Sequence, residues 1–244
     1  VPDIKRSLII VPAYNESQSI GQVIRVLSSL SHLDVVIIND GSDDNTSALA
    51  KKTKNTSVID HPLNLGIGAA VQTGFMYALE NGYQYALQFD GDGQHLETEI
   101  DKILTPLFEN KADVVIGSRF IEKKEGYQST FLRRFGIKIF KCLSQLIIGK
   151  SITDCTSGFR AYNHKAIKFL AYHYPEDFPE PEAVILLGKN NFKIKEVPVK
   201  MKAREHGASS IGGVKSLYYM IKVMLAMLIN GFRKPIRLHG EPEL

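Results

Sequence analysis

The sequence predicts an α/β fold: a Rossmann-like, mostly parallel sheet with helices on both faces. Three observations predict it. Short β-branched runs recur through the first half, apolar residues between them fall at helical spacing, and polar, glycine-bearing motifs stand where the runs end. Open sheets of this kind bind ligands at the carboxyl ends of their strands.

Leu8–Val11, Val35–Ile38, Ser57–Ile59, Ala86–Phe89 and Val114–Ile116 read as strands buried on both faces. Ser19–Leu30 places Ile20, Val23, Ile24, Leu27 and Leu30 on one helical face, and Asn45–Lys52, Ala69–Glu80 and Glu97–Phe108 follow the same spacing. After about residue 120 the rhythm changes to a basic stretch, a Pro/Glu-rich loop at Tyr174–Glu182, a strand at Phe192–Lys200 and a final amphipathic helix. With no internal repeat or Gly/Ser linker, residues 1–210 are expected to form one domain and 211–244 an amphipathic helix and tail.

The 244 residues, 44% hydrophobic and 23% charged, suffice for one sizeable core. The net charge is +4, but residues 1–122 hold 9 Lys+Arg against 16 Asp+Glu while 123–244 hold 21 against 10. The first half suits a cation and the second an anion. No nucleic-acid-binding motif accompanies the basic residues, so no nucleic acid partner is expected and anionic lipid is the better fit. Cys142 and Cys155 form no C-x-x-C pair, which fits packing thiols in a reducing compartment. No leader segment precedes the first strand, and the apolar run Val223–Ile229 is seven residues against the ~20 of a spanning helix, so neither secretion nor membrane crossing is expected.

The strongest chemical signal is Phe89-Asp90-Gly91-Asp92-Gly93-Gln94-His95 at a strand end. Two carboxylates separated by glycine can turn toward one hard cation, Mg²⁺ or Mn²⁺, while the glycines let a diphosphate approach the backbone. An Asp-Gly turn is the plainer alternative, and His95 reads as a hydrogen-bonding group before a ligand. The first strand runs into Pro12-Ala13-Tyr14-Asn15-Glu16 and the second into Asn39-Asp40-Gly41-Ser42-Asp43-Asp44, groups suited to a base and ribose. Ser42, Asp43 and Asp44 are also ordinary helix-start residues. Asn64-Leu65-Gly66-Ile67-Gly68 opens a helix and suggests backbone contact with phosphate or sugar, at Gly68 especially. It lacks the third glycine of a dinucleotide fingerprint, which excludes a dehydrogenase of that type.

Over roughly residues 7–210 these motifs resemble, in order, family 2 glycosyltransferases of the GT-A fold, in particular the dolichol-phosphate-mannose-synthase-like branch. The resemblance implies that Pro12, Ala13, Tyr14, Glu16 and Asp40 hold the nucleotide; Asn64 and Gly68 join them as candidates from the helix-start reading. It implies that Asp90, Asp92 and Gln94 line the metal and diphosphate, and that transfer is inverting, the metal acting as Lewis acid on the leaving diphosphate. Gly117-Ser118-Arg119, Phe131-Leu132-Arg133-Arg134, Thr156-Ser157-Gly158-Phe159-Arg160 and Arg204 before Gly207-Ala208-Ser209-Ser210 are further matches. Arginines grip phosphate oxygens as a fork, so Arg119, Arg133 and Arg204 are the candidates for that role; Arg134 and Arg160 can instead be structural.

The acceptor implied is polyprenyl phosphate, which needs no strong base, its second pKa being ~6. A glycan hydroxyl acceptor does need one. Many hydroxyl-directed relatives carry a Glu-Asp motif where this chain has Phe178-Pro179-Glu180-Pro181-Glu182, leaving Glu182, and secondarily Asp154, as candidate bases, although Glu182, just before the apolar Ala183–Leu187, reads first as a helix-start residue and can also orient an arginine. A catalytically silent sugar-nucleotide-binding protein is the alternative of another class. Thr130–Lys150 and Val214–Phe232, with Leu217, Ile221, Met224, Leu225 and Leu228 on one face and Arg233, Lys234 and Arg237 after it, read either as core-facing helices or as elements lying on the cytoplasmic face of a membrane. The second can also pair with its copy in a homo-oligomer.

Overall fold

The computed structural model describes residues 7–53, 56–121, 131–202 and 214–236, the side chains of 131–135, 214–217 and 219 lying outside that description. Seven strands, β1 (Ser7–Ala13), β2 (Asp34–Asn39), β3 (Thr56–Asp60), β4 (Tyr85–Gln88), β5 (Val114–Ser118), β6 (Arg160–Asn163) and β7 (Ile194–Pro198), form one sheet in the order β3-β2-β1-β4-β6-β5-β7. β6 is antiparallel to β4 and β5; the other pairs are parallel.

The helices are α1 (Ile20–Leu27), α2 (Thr46–Ala50), α3 (Ile67–Glu80), α4 (Ile100–Phe108), α5 (Phe131–Ile148), α6 (His164–His173), α7 (Pro179–Lys189) and α8 (Val214–Phe232). Every residue of β1 is buried. Ile9 and Val11 join a core shared with α1 and α4, while Leu8 and Ile10 join one shared with α3, α6 and α7. Alternate side chains thus fill two layers, and this is why the strands read as unbroken apolar runs.

Three elements, β6, α6 and the start of α7, were not expected from the sequence. β6 is four residues beginning with an arginine, and only pairing on both sides makes it a strand. The segment Tyr174–Glu182, expected to be loop, contains the first turn of α7, where Pro179 and Pro181 stand because early helix positions lack an intrahelical N–H partner. α8 packs on α5 and α7. Its buried stripe is Val223 and Met227, with Met220 and Met224 half-buried, and Ile221, Leu225, Ile229 and Phe232 are exposed. Met224 and Leu225, expected on one face, are divided between the two.

Candidate active site

The carboxyl ends of β2, β1 and β4 open into a cleft of ≈ 320 Å³. Pro12, Ala13, Tyr14 and Glu16 come from the end of β1, Asn64 and Ile67 from the approach to α3, and Asp90 and Asp92 from beyond β4. Asparagine permits the positive φ of 54° at residue 15. The loop there is laced to the one after β2: Asn15 Oδ1 accepts from the Asp43 N–H (3.0 Å), Thr46 Oγ1 from Glu16 N–H (2.8 Å) and Asp44 Oδ2 from Ser17 N–H (3.1 Å). Burial pushes the Asp44 carboxyl up, but hydrogen bonds from Thr46 and Ser17 outweigh it and bring the pKa from 3.8 to about 2.

Asp40 borders the cleft, but its carboxylate is turned to the protein. It accepts from Leu65 N–H (2.9 Å) and Gly66 N–H (2.8 Å) and pairs with His61 Nδ1 at 2.8 Å. Its observed work is to shape the 63–66 loop. Gly41 is required because a Cβ there would stand 2.4 Å from the Leu63 carbonyl carbon. Gly68 has a packing reason of its own: its missing Cβ would lie 2.6 Å from the Pro175 carbonyl oxygen and 2.7 Å from that of Glu176. Gly68 is therefore explained by backbone packing against α3.

Beyond β4, Asp90 Oδ2 pairs with His95 Nε2 at 3.0 Å, and Asp92 Oδ1 accepts from Gln94 N–H at 3.0 Å. Burial raises the Asp90 carboxyl, yet the His95 imidazole, through charge and hydrogen bond, together with Gln88 and Arg119, holds it below the ordinary carboxylate value. His95 is itself buried and stacks on Phe159 at 4.6 Å, so it positions Asp90 instead of facing the cleft. Gln94 turns the chain back after Asp92 and accepts at its carbonyl from Lys202 N–H (2.8 Å); it does not border the cleft. Asp90 is cradled by Gly158, where a Cβ would come within 2.8 and 2.9 Å of the two carboxylate oxygens.

The arginines divide. Arg119 forms a fork with the fully buried Asp154, Nε to Oδ2 at 2.7 Å and Nη2 to Oδ1 at 2.8 Å, an ion pair that occupies both carboxylate oxygens of that candidate base. Arg160 is wholly buried and donates to the carbonyls of Ser157 (2.6 Å), Cys155 (2.6 Å) and Glu180 (2.8 Å), a structural cation. The side chain of Arg133, and Arg204 altogether, lie outside the described residues.

Glu182, a candidate base that also read as a helix-start residue, stands in the first turn of α7. Its Oε1 accepts from Phe178 N–H at 3.1 Å, capping α7, and its Oε2 accepts from Asn230 Nδ2 of α8. The acidic residue of this turn that reaches the cleft is Glu180, which sequence reasoning passed over for Glu182. Burial pushes the Glu180 carboxyl up, Asp90 adds to this, and Arg160 opposes it. A helical reading of Pro179-Glu180-Pro181-Glu182 would have separated the two, because residues two apart on a helix point about 200° apart.

Asp90 and Asp92 fit a divalent cation: both are hard oxygen donors on the cleft wall, and the Gly158 cradle leaves room for little but the Asp90 carboxylate. Among the described residues no cluster of three or more His, Cys, Asp or Glu would hold a metal without help. A cation held by these two carboxylates would leave positions for oxygens of a ligand, as Mg²⁺ or Mn²⁺ has between carboxylates and phosphates.

The profile of the family described as Glycosyl transferase family 2 matches residues 8–170. The UDP-N-acetylglucosamine–dolichyl-phosphate N-acetylglucosaminyltransferase of Methanococcus voltae is 30% identical over 91% of this chain and 97% of its own length. The polyprenol monophosphomannose synthase of Mycolicibacterium smegmatis is 28% identical over 90% of this chain and 86% of its own. Among solved structures, glucosyl-3-phosphoglycerate synthase of Mycobacterium tuberculosis, in complex with Mn²⁺, UDP-glucose and phosphoglyceric acid, superposes with TM-score 0.67 at 17% identity, covering 93% of this chain and 80% of that one, which places the present fold in the GT-A class.

Proposed function

The chain belongs to glycosyl transferase family 2 and is a glycosyltransferase, and from that premise we propose that it transfers a sugar from a nucleoside-diphosphate sugar to polyprenyl phosphate, with inversion at the anomeric carbon. The observation that carries the reading is the single cleft bringing the ends of β1 and β4 together, so that Pro12–Tyr14 and Asp90–Asp92 face one ligand. Asp90 and Asp92 would hold Mg²⁺ or Mn²⁺, which neutralises charge on the departing diphosphate. The start of α3 points the positive end of a 14-residue helix at the same space, favouring phosphate.

Lipid phosphate as acceptor is supported by the names of the two curated relatives and by Glu182, the base expected for a hydroxyl acceptor, being committed to Phe178 and Asn230. No helix among the described residues is long and apolar enough to cross a membrane. Exposed Ile221, Leu225, Ile229 and Phe232 of α8, followed by Arg233 and Lys234, fit a peripheral site on the anionic, cytoplasmic face of one.

The test incubates the protein with polyprenyl phosphate, Mn²⁺ or Mg²⁺ and a panel of nucleotide sugars, and analyses the lipid fraction by mass spectrometry. A lipid-phosphate sugar is expected, lost on chelation and in Asp92→Asn. A competent nucleotide-binding protein that yields no lipid product but glycosylates a glycan hydroxyl would overturn the acceptor assignment.

A further inference from the structure

Chemistry is laid out along one edge of the sheet in strand order. β2, β1, β4 and β6 are consecutive neighbours, and because β6 is antiparallel its first residue, Arg160, pairs with Gln88 at the carboxyl end of β4. Passing along that edge one meets the Asp40-clasped loop, then Pro12–Tyr14, then Asp90 and Asp92, and last Glu180, whose carbonyl accepts from Arg160 at 2.8 Å. Neighbouring strands are about 4.8 Å apart, so the row spans about 14 Å. A nucleoside-diphosphate sugar with its nucleoside over β2 and β1 and its diphosphate at Asp90 and Asp92 has its sugar next in line, against Glu180.

From this order we infer that Glu180 recognises the hydroxyl groups of the donor's sugar and sets which hexose the enzyme accepts. The inference rests on the cleft being a nucleoside-diphosphate-sugar site. A carboxylate accepts two hydrogen bonds at once, which matches neighbouring hydroxyls on a pyranose ring and distinguishes epimers that move one of them. The carboxylate is also held in place. Pro179 and Pro181 on either side fix the backbone, and Arg160 holds the Glu180 carbonyl. Glu182 in the same turn is spent on Phe178 and Asn230, so Glu180 alone of that turn's acids faces the ligand.

The experiment measures, in Mn²⁺, the affinity of the wild-type protein, Glu180→Gln and Glu180→Ala for nucleoside diphosphates and for the same diphosphates carrying glucose, mannose, galactose or N-acetylglucosamine, followed by donor KM and kcat. Thermal melts check that both variants fold, and the isosteric glutamine serves if alanine does not. Bare nucleoside diphosphate should bind the variants within about twofold of wild type. The extra affinity conferred by the preferred sugar should fall about 10- to 100-fold, the worth of a hydrogen bond to a charged group, and discrimination among epimers should weaken with it. Unchanged sugar increment and unchanged epimer preference would overturn the assignment. So would a fall in kcat with donor affinity intact, which is the behaviour of a proton-handling group. A wild-type protein that binds no nucleoside diphosphate would instead remove the reading of the cleft on which the inference stands.

Discussion

Arg160→Met removes a wholly buried charge while keeping a chain of similar length. Arg160 has no exposed surface, and its guanidinium donates to the carbonyls of Cys155, Ser157 and Glu180 at 2.6, 2.6 and 2.8 Å. Methionine offers no donor. Each carbonyl left buried without a partner costs about 1–3 kcal/mol before relaxation, and the loss of one member of a buried polar cluster comes to about 3–5 kcal/mol. For a chain of this length roughly 2–4 °C of Tm accompanies each kcal/mol, so a drop of about 6–20 °C is expected by calorimetry. The Glu180 carboxyl, relieved of the cation that opposes its burial, should rise further. A melting temperature within about 2 °C of wild type, combined with lost affinity for nucleoside diphosphate, would refute the structural assignment and make Arg160 a phosphate-gripping residue after all.

Gly68→Ala should lose about 1–3 kcal/mol in urea titrations, because the carbonyls at 2.6 and 2.7 Å belong to the backbone of Pro175 and Glu176 and have no rotamer to yield. Glu182→Gln should keep kcat and lose no more than about 1 kcal/mol, since the amide can still accept from Phe178; a hundredfold fall in kcat would restore Glu182 as a base. Asp44 has its pKa lowered from 3.8 to about 2 in the folded chain, so its contribution to stability is whole above about pH 4 and is lost as pH falls toward 2. The stability difference between wild type and Asp44→Asn should accordingly shrink over that window in acid titrations followed by circular dichroism.

β1, β2, β4 and β5 were legible because strands buried on both faces leave unbroken apolar runs such as Leu8–Val11, and the polar motifs were legible because they interrupt those runs; β3, expected to be buried, is instead a half-exposed edge strand. β6 was not legible. Arg-Ala-Tyr-Asn carries no strand signal of its own, and its pairing with β4 and β5 is a tertiary fact. The site was legible as a set of segments but not residue by residue. Asp40, Gly68 and Asp90 stand in neighbouring motifs, yet Asp40 clasps a loop at the cleft's edge, Gly68 admits a backbone and Asp90 pairs with His95 on the cleft wall, and only the contacts separate those uses. Glu180 and Glu182 differ by two positions in a Pro-Glu repeat; reading that repeat as a loop hides the fact that a helix sends them in different directions.

That divergence gives α7 two tasks. Its first turn presents Glu180 to the cleft, while Glu182 and, at its far end, Lys189 hold α8: Glu182 through Asn230, Lys189 through the carbonyls of Asn230 (3.2 Å), Gly231 and Arg233 at the end of that helix. Lys189 supplies donors to carbonyls that a helix terminus leaves without intrahelical partners, and its charge complements the negative end of the α8 dipole. Eleven residues of helix are about 16 Å long, so the wall of the cleft and the anchorage of the exposed apolar stripe on α8 belong to one short rigid rod. The Pro-Glu-Pro-Glu start is therefore where the requirements of the cleft and of the α8 surface meet. The prolines fix the turn, one glutamate is free to face a ligand because the other takes over the capping, and exchanging the two roles would need a different register of the whole helix.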